Sequence, residues 1–325
     1  MSHLKHSIQL STNCLRPVRN HAAVIQGTGI DDHHCPFLSR KRRPTKCHFV
    51  HLLILLLLSA CLGQTNDQQC IKENITAEKF RLSTGDYARL ESPPFRNRDR
   101  EDAVVQYFFE ACPQVQLQRI NKYSGHNIIC RMPGREKKRI IVAAHFDRIG
   151  AGRGVADNWS GIVLMSKLIT ELSKHNLHFT WEVIAFGAEE FELLGSKAYI
   201  KNVLREQGAS DILAMINVDT VGLDTVKIDS RSDEQLKCLT ASLASELGLK
   251  LDIVSLPTIT GDWEPFRRHG IPVLSIHSLD RRSLNIVHNR KDSIRAISME
   301  RLEDAWSLLL NLQRNLDQET IRLSN

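Results

Sequence analysis

Four short, largely apolar runs, at residues 139–144, 179–186, 212–218 and 272–276, alternate along the chain with longer stretches of helical period. Runs of this length without polar alternation suit strands buried on both faces. The intervening stretches at 161–172, 193–204, 234–247 and 297–316 read as helices. Strand followed by helix, repeated, implies an α/β domain: a mostly parallel central sheet with helices on both faces. A helix at 101–111 and alternating strands at 115–120 and 127–131 precede this core, and residues 65–95 read as an irregular lead-in. Residues 226–229 read as a polar edge strand and 251–254 as a further short strand.

Composition agrees with one sizeable core. The chain has 325 residues, 42% apolar and 25% charged, which accommodates one catalytic domain of about 250 residues and an N-terminal extension. The formal charge of +6 does not mark a nucleic-acid binder. Eight of the 43 Lys/Arg but only two of the 37 Asp/Glu fall in residues 1–61, which leaves 35 of each beyond Cys61. The basic excess therefore belongs to the extension.

That extension reads as an export signal. Residues 40–46 are basic, residues 49–58 are apolar apart from His51, and Leu58-Ser59-Ala60-Cys61 follows. A basic patch, a short apolar core and small residues before a cut site make a signal peptide over 40–61. About ten apolar residues fall short of the roughly 20 that span a bilayer. The last four resemble the bacterial lipobox, which would make Cys61 a lipidated N-terminus and the product a membrane-anchored lipoprotein. Without lipidation it would be periplasmic or secreted. Residues 1–39, with Cys14, His33, His34 and Cys35 at no standard zinc spacing, are expected to be a disordered leader or an over-extended start. The expected organisation then continues with a lead-in over 62–96 and a catalytic domain over 97–325. Export would permit disulfides among Cys70, Cys112, Cys130 and Cys238, with Cys112 and Cys130 the first pair to test.

The chemistry lies at the strand ends, where open α/β sheets bind ligands. His145 and Asp147 close the first buried strand, Glu189 and Glu190 the second, and Asp219 the third. Asp157 and Asn158 stand just before a helix, and His288 lies in a polar loop with Asp292. Taken alone, each has a plain structural explanation; Asp157 would be a helix N-cap. Together, so many carboxylates at one sheet edge would repel one another and raise each other's pKa unless a dication neutralised them. The set divides into two metals: His145 with Asp219 for one, Glu190 with His288 for the other, and Asp157 bridging. Glu189 is left without a ligand role, placed to take a proton from an attacking water. Asp147 can orient the His145 imidazole.

In this order, His-x-Asp, Asp-Asn before a helix, Glu-Glu, Asn-x-Asp (Asn217 and Asp219) and a late His with a nearby Asp resemble metallopeptidase family M28, the co-catalytic zinc aminopeptidases. The resemblance covers residues 97–315 and includes Gly270-Ile271-Pro272 at the entry to the last core strand. It implies the zinc aminopeptidase fold, two Zn2+ per chain, ligands His145, Asp157, Glu190, Asp219 and His288, Glu189 as general base, and a peptide substrate cut at its N-terminus. Where the family often has Ser-Asp-His, this chain has Gly261-Asp262-Trp263, expected to contribute Asp262 and Trp263 to the substrate pocket. No Tyr stands between Pro257 and Thr260, so the family's usual oxyanion stabiliser is missing. A lid-bearing carboxypeptidase-like relative would need about 100 extra residues before His288. A glutaminyl-cyclase-like acyltransferase would use one zinc, and a non-catalytic binding ectodomain would need none. No nucleic-acid or protein partner is indicated.

Overall fold

The computed structural model describes residues 75–206 and 208–318. The segment 1–39, the signal sequence, Cys61 and Cys70 lie outside them. The apolar runs become the middle of one eight-stranded sheet. Its strands are β1 (Val115–Arg119), β2 (His126–Met132), β3 (Glu136–His145), β4 (Phe179–Phe186), β5 (Ile212–Val218), β6 (Lys227–Asp229), β7 (Asp252–Val254) and β8 (Val273–His277), in spatial order β1-β2-β4-β3-β5-β8-β6-β7. The central β4-β3-β5-β8 block is parallel, as are β6 and β7; β1-β2, β2-β4 and β6-β8 are antiparallel.

The pleat sends alternate residues of the central strands into two cores. Ile140, Val142 and Ala144 of β3 join Trp181, Val183 and Ala185 of β4 on one face, while Ile141 and Ala143 join Ile184 and Phe186 on the other. The first face is covered by helices α2 (Asn97–Phe109), α3 (Ser160–Leu172), α5 (Glu234–Glu246) and α7 (Met299–Leu316). The second is covered by α4 (Leu194–Glu206) and α6 (Trp263–Arg268), through Tyr199, Ile200, Val203 and Phe266. Among the described residues no helix is long and apolar enough to cross a membrane.

Two expectations are corrected. The lead-in is not irregular throughout: it contains helix α1 (Thr84–Glu91), closed by a capping box in which Ser83 and Asp86 each accept the other's backbone N–H. Upstream of α1, the backbone N–H groups of Glu78, Phe80 and Leu82 donate to Asn311, Ser307 and Glu303 of α7, at 3.1, 2.9 and 3.1 Å. Two extended residues advance about 6.6 Å and four helical residues about 6 Å, so an extended segment matches every fourth side chain of a helix. Leu82 and Leu90 thereby enter the core, each burial contributing about 1.5–3 kcal/mol.

Nor is β6 an edge strand. It is buried, between β8 and β7, and β7 forms the edge. Its polar sequence is compatible with burial because its charges are paired: Lys227 Nζ lies 2.8 Å from Asp224, and Asp229 lies 2.7 Å from Arg231.

Cys112, just after α2, and Cys130, in β2, form a disulfide across 18 residues, with Cα atoms 5.8 Å apart. Closing a loop of that size restricts the unfolded chain by about 3 kcal/mol. The Cys112→Ser/Cys130→Ser variant is expected to unfold roughly 6–12 °C lower. An unchanged melting midpoint would remove the crosslink as a source of stability.

Candidate metal centre

β3, β4 and β5 end together, and their last residues meet. The parallel register sets His145 beside Phe186, three residues before Glu189, and Asn217 of β5 beside Ala143. The His145 Nε2 lies 3.1 Å from Asp157 Oδ1 and 3.5 Å from Asp219 Oδ1. The His288 Nε2 lies 3.0 Å from Asp157 Oδ2 and 3.0 Å from Glu190 Oε2. Two candidate metal-holding groups result, His145-Asp157-Asp219 and Asp157-Glu190-His288, with the ligand atoms of each within 4.8 Å of one another. Asp157 belongs to both, one carboxylate oxygen facing each histidine. The other Glu190 oxygen, Oε1, is buried with no hydrogen-bond partner among the described residues. Glu189 joins neither group, and its Oε2 lies 4.0 Å from His145 Nε2. A buried, orphaned carboxylate oxygen and a mixed set of imidazole nitrogens and carboxylate oxygens fit a divalent cation.

Surrounding side chains fix these groups by taking up backbone N–H groups. Asp292 accepts from Val155 and Ala156 at 2.8 and 2.7 Å through one oxygen and from Asp157 at 3.3 Å through the other. Asn158 donates to Val218 O at 2.9 Å and accepts from Thr220 at 3.2 Å, joining the Asp157 turn to the end of β5. Asp147 stands beside His145 as expected, through both its carbonyl and its carboxylate. Its backbone carbonyl is nearer, 3.2 Å from Nδ1 against 3.6 Å for Oδ1. The carboxylate also accepts the N–H groups of Glu189 and Glu190, at 3.0 and 3.3 Å. Asp157 does not cap α3. It sits in a wide turn, Val155–Trp159, at φ −114° and ψ 94°, followed by a cis peptide bond to Asn158.

The backbone departs from ordinary geometry around these residues. Ala188, Glu192, Leu193, Thr220 and His288 all have φ between 51° and 61°, a region uncommon for side-chain-bearing residues and concentrated at functional sites. Gly150 lets the two loops meet, because a Cβ there would fall 2.0 Å from the carbonyl oxygen of His288. At Gly154, with φ 59°, a Cβ would fall 2.8 Å from the carbonyl oxygen of Asp157.

Charge crowding is visible in the proton affinities. Burial alone would lower the His145 imidazole, but Glu189, Asp219, Asp147 and Asp157 outweigh it and hold the ring well above 6.5. Hydrogen bonds to Asp157 and Glu190 raise His288 to about 10. Burial opposes ionisation of Asp157, yet the two imidazoles hold its carboxyl far below the usual range. Burial pushes Glu189 well above 4.5, with His145 opposing and Asp262, Asp219 and Asp157 adding to the rise.

Trp263 forms a wall of a cavity of about 20 Å3 beside Asp219, with Gly261 and His277; that is room for about one water. Asp262 does not line this cavity. It is buried at the start of α6, and burial raises its carboxyl to about 7 against the opposing His145 and Ser196. The sequence reading missed His277 at the end of β8. Its Nδ1 accepts the Leu279 N–H at 3.0 Å, so Nε2 carries the proton, and Nε2 is buried without a partner. The strand-end rule that selected His145 and Asp219 also selects this residue. Arg100 was missed as well. It is fully buried, donates to Gly154 O at 2.7 Å and stacks over Trp159. Its position one turn before Val104 and two before Phe108 puts it on the buried stripe of α2.

A metal-ligating imidazole must be neutral, whereas without metal the surrounding carboxylates favour the protonated form of both histidines. Metal uptake is therefore expected to release about one proton per histidine, read as heats that vary with the buffer's ionisation enthalpy, and affinity should fall as pH falls. Heats that do not depend on the buffer would contradict this electrostatic reading.

Peptidase family M28 matches residues 127–313. Aminopeptidase YwaD of Bacillus subtilis is 30% identical over 210 residues, 60% of this chain and 45% of that protein. The structure of BSAP, a zinc aminopeptidase from Bacillus subtilis, superposes with a TM-score of 0.55 at 25% identity, covering 62% of this chain and 52% of the other. An Acidobacteriales bacterium glutaminyl cyclase shares the fold at a TM-score of 0.62 and 18% identity, covering 76% of this chain and 99% of the other. The chain spans less than half the length of the curated relatives it matches here, 45% of YwaD and 36% of leupeptin-inactivating enzyme 1 from Streptomyces exfoliatus. The family match runs from β2 to α7 and takes in the strand ends that gather His145, Asp157, Glu190, Asp219 and His288: this chain belongs to Peptidase family M28.

Proposed function

We propose that the chain is a two-zinc exopeptidase, an aminopeptidase that removes N-terminal residues from peptides. The observation that carries this reading is the shared Asp157 carboxylate, with one oxygen 3.1 Å from His145 and the other 3.0 Å from His288. His145 and Asp219 would hold one zinc, Glu190 and His288 the other, and Asp157 both. Family membership and relatives named as aminopeptidases support the same reading.

When bound, the zinc pair supplies Lewis acidity toward a peptide carbonyl and an attacking water. The chain supplies the proton handling. Glu189, outside both ligand groups, accepts the water proton at its carboxylate and returns it to the leaving amine. Burial raises the proton affinity of this carboxylate, which favours its taking up the water proton, and the hydrogen bond from its own N–H to Asp147 fixes its backbone. Asp292 and Asn158 hold the Asp157 turn. A glutaminyl-cyclase-like acyltransferase would give His145 no metal to bind; the approach of His145 to both Asp157 and Asp219 favours the peptidase.

The zinc-loaded protein should contain about two zincs per chain and release p-nitroaniline from amino-acid p-nitroanilides until a chelator is added. Glu189→Gln should keep the metal and lose about 10²–10⁴-fold in turnover. Near-normal turnover in that variant would remove Glu189 as the base. Absence of zinc would favour a binding ectodomain.

Export with a lipid anchor at Cys61 belongs to the same proposal. The basic and apolar runs before Cys61 support it, and the Cys112–Cys130 disulfide suits an oxidising compartment. Cys61→Ser should move the protein from the membrane to the soluble fraction; retention in the membrane would exclude a lipid anchor.

A further inference from the structure

We propose that a cleft between α4 and α6 binds the downstream residues of the peptide and selects a carboxylate roughly three residues beyond the scissile bond, an inference that rests on the aminopeptidase reading. The cleft has a volume of about 630 Å3, within the range of ligand sites. Glu192 and Leu193, which follow Glu190 in the chain, are among its lining residues, and Thr260 lines both it and the small cavity that Asp219 also lines. An exopeptidase that holds the first residue at its metals needs an open path for the remainder of the chain, and through Thr260 this cleft neighbours the cavity beside Asp219.

Its chemistry is graded. Leu193, Ile200 and Pro265 give it an apolar lining. Lys197 and Lys201 stand one turn apart on α4, exposed and with no carboxylate partner among the described residues. Across the cleft, Glu264 is already neutralised by Arg267 and Arg268, each at 3.0 Å. The pattern is acidic at Glu192, two residues after Glu190 in the chain, and basic farther along α4 at Lys197 and Lys201. Counting from Leu194, where α4 starts four residues after Glu190, helical rise carries Lys201 about 10 Å along the cleft, and an extended peptide covers that span in about three residues. A peptide with an apolar middle and an acidic residue at that distance matches both lining and charge.

The test compares two C-terminally amidated peptides, Leu-Ala-Ala-Glu and Leu-Ala-Ala-Gln, binding to zinc-loaded full-length Glu189→Gln protein, by calorimetry. The Glu peptide is expected to bind about tenfold more tightly. The preference should shrink with added salt, vanish in Lys197→Gln/Lys201→Gln and reverse in Lys197→Glu/Lys201→Glu. Equal affinities, or a preference that survives both substitutions, would overturn the proposal. Cleavage of the same peptides by the unsubstituted enzyme separates the two readings. Preferential binding without cleavage supports the cleft and sinks the aminopeptidase, whereas cleavage without preference does the reverse.

Discussion

Everything at the end of this sheet depends on one carboxylate shared between two imidazoles. Asp157 is buried, and its two oxygens face His145 and His288 at 3.1 and 3.0 Å. A buried carboxylate of this kind persists only where positive charge compensates its lost hydration. Around it stand Glu189, Glu190 and Asp219, too many like charges for two histidines to balance. Without metal, the excess negative charge raises the proton affinity of His145 and His288. Divalent cations remove the same excess by displacing the histidine protons, so metal uptake and proton release are two views of one balance.

The scaffold serves that constraint at close range. The carboxylates of Asp147 and Asp292 and the carboxamide of Asn158 each capture two or more backbone N–H groups, which ties the loops after β3, β4 and β5 into one unit. Glycine at 150 lets its loop approach the loop bearing His288, and glycine at 154 fits against the carbonyl of Asp157. Positive φ angles at Ala188, Thr220 and His288 aim the functional side chains. Such conformations are held by surrounding hydrogen bonds rather than by local preference. The same tension extends to His277 and Arg100, polar groups buried near the centre with donors left unpaired.

Much of this was legible in the sequence because the physics is local. Largely apolar runs located β3, β4 and β5, and the strand-end rule selected His145, Glu190 and Asp219. Asp157 was identifiable only in company, since its neighbourhood resembles a helix cap and its actual turn is set by Asp292, 135 residues away. The lead-in was misjudged because its order comes from α7 side chains more than 200 residues distant. Strand β6 was misjudged because paired charges can be buried, and a sequence shows charge without its partner. Asp147 was placed correctly, but whether its carbonyl or its carboxylate meets His145 is a matter of a few tenths of an ångström. Composition and spacing carry no such information.

The most direct test is the anomalous scattering of crystals of the metal-loaded protein, measured at the zinc edge. The account predicts two peaks, one among His145, Asp157 and Asp219 and the other among Asp157, Glu190 and His288, with an Asp157 oxygen bound to each. A single peak, or a pair that leaves Asp157 uncoordinated, would contradict it.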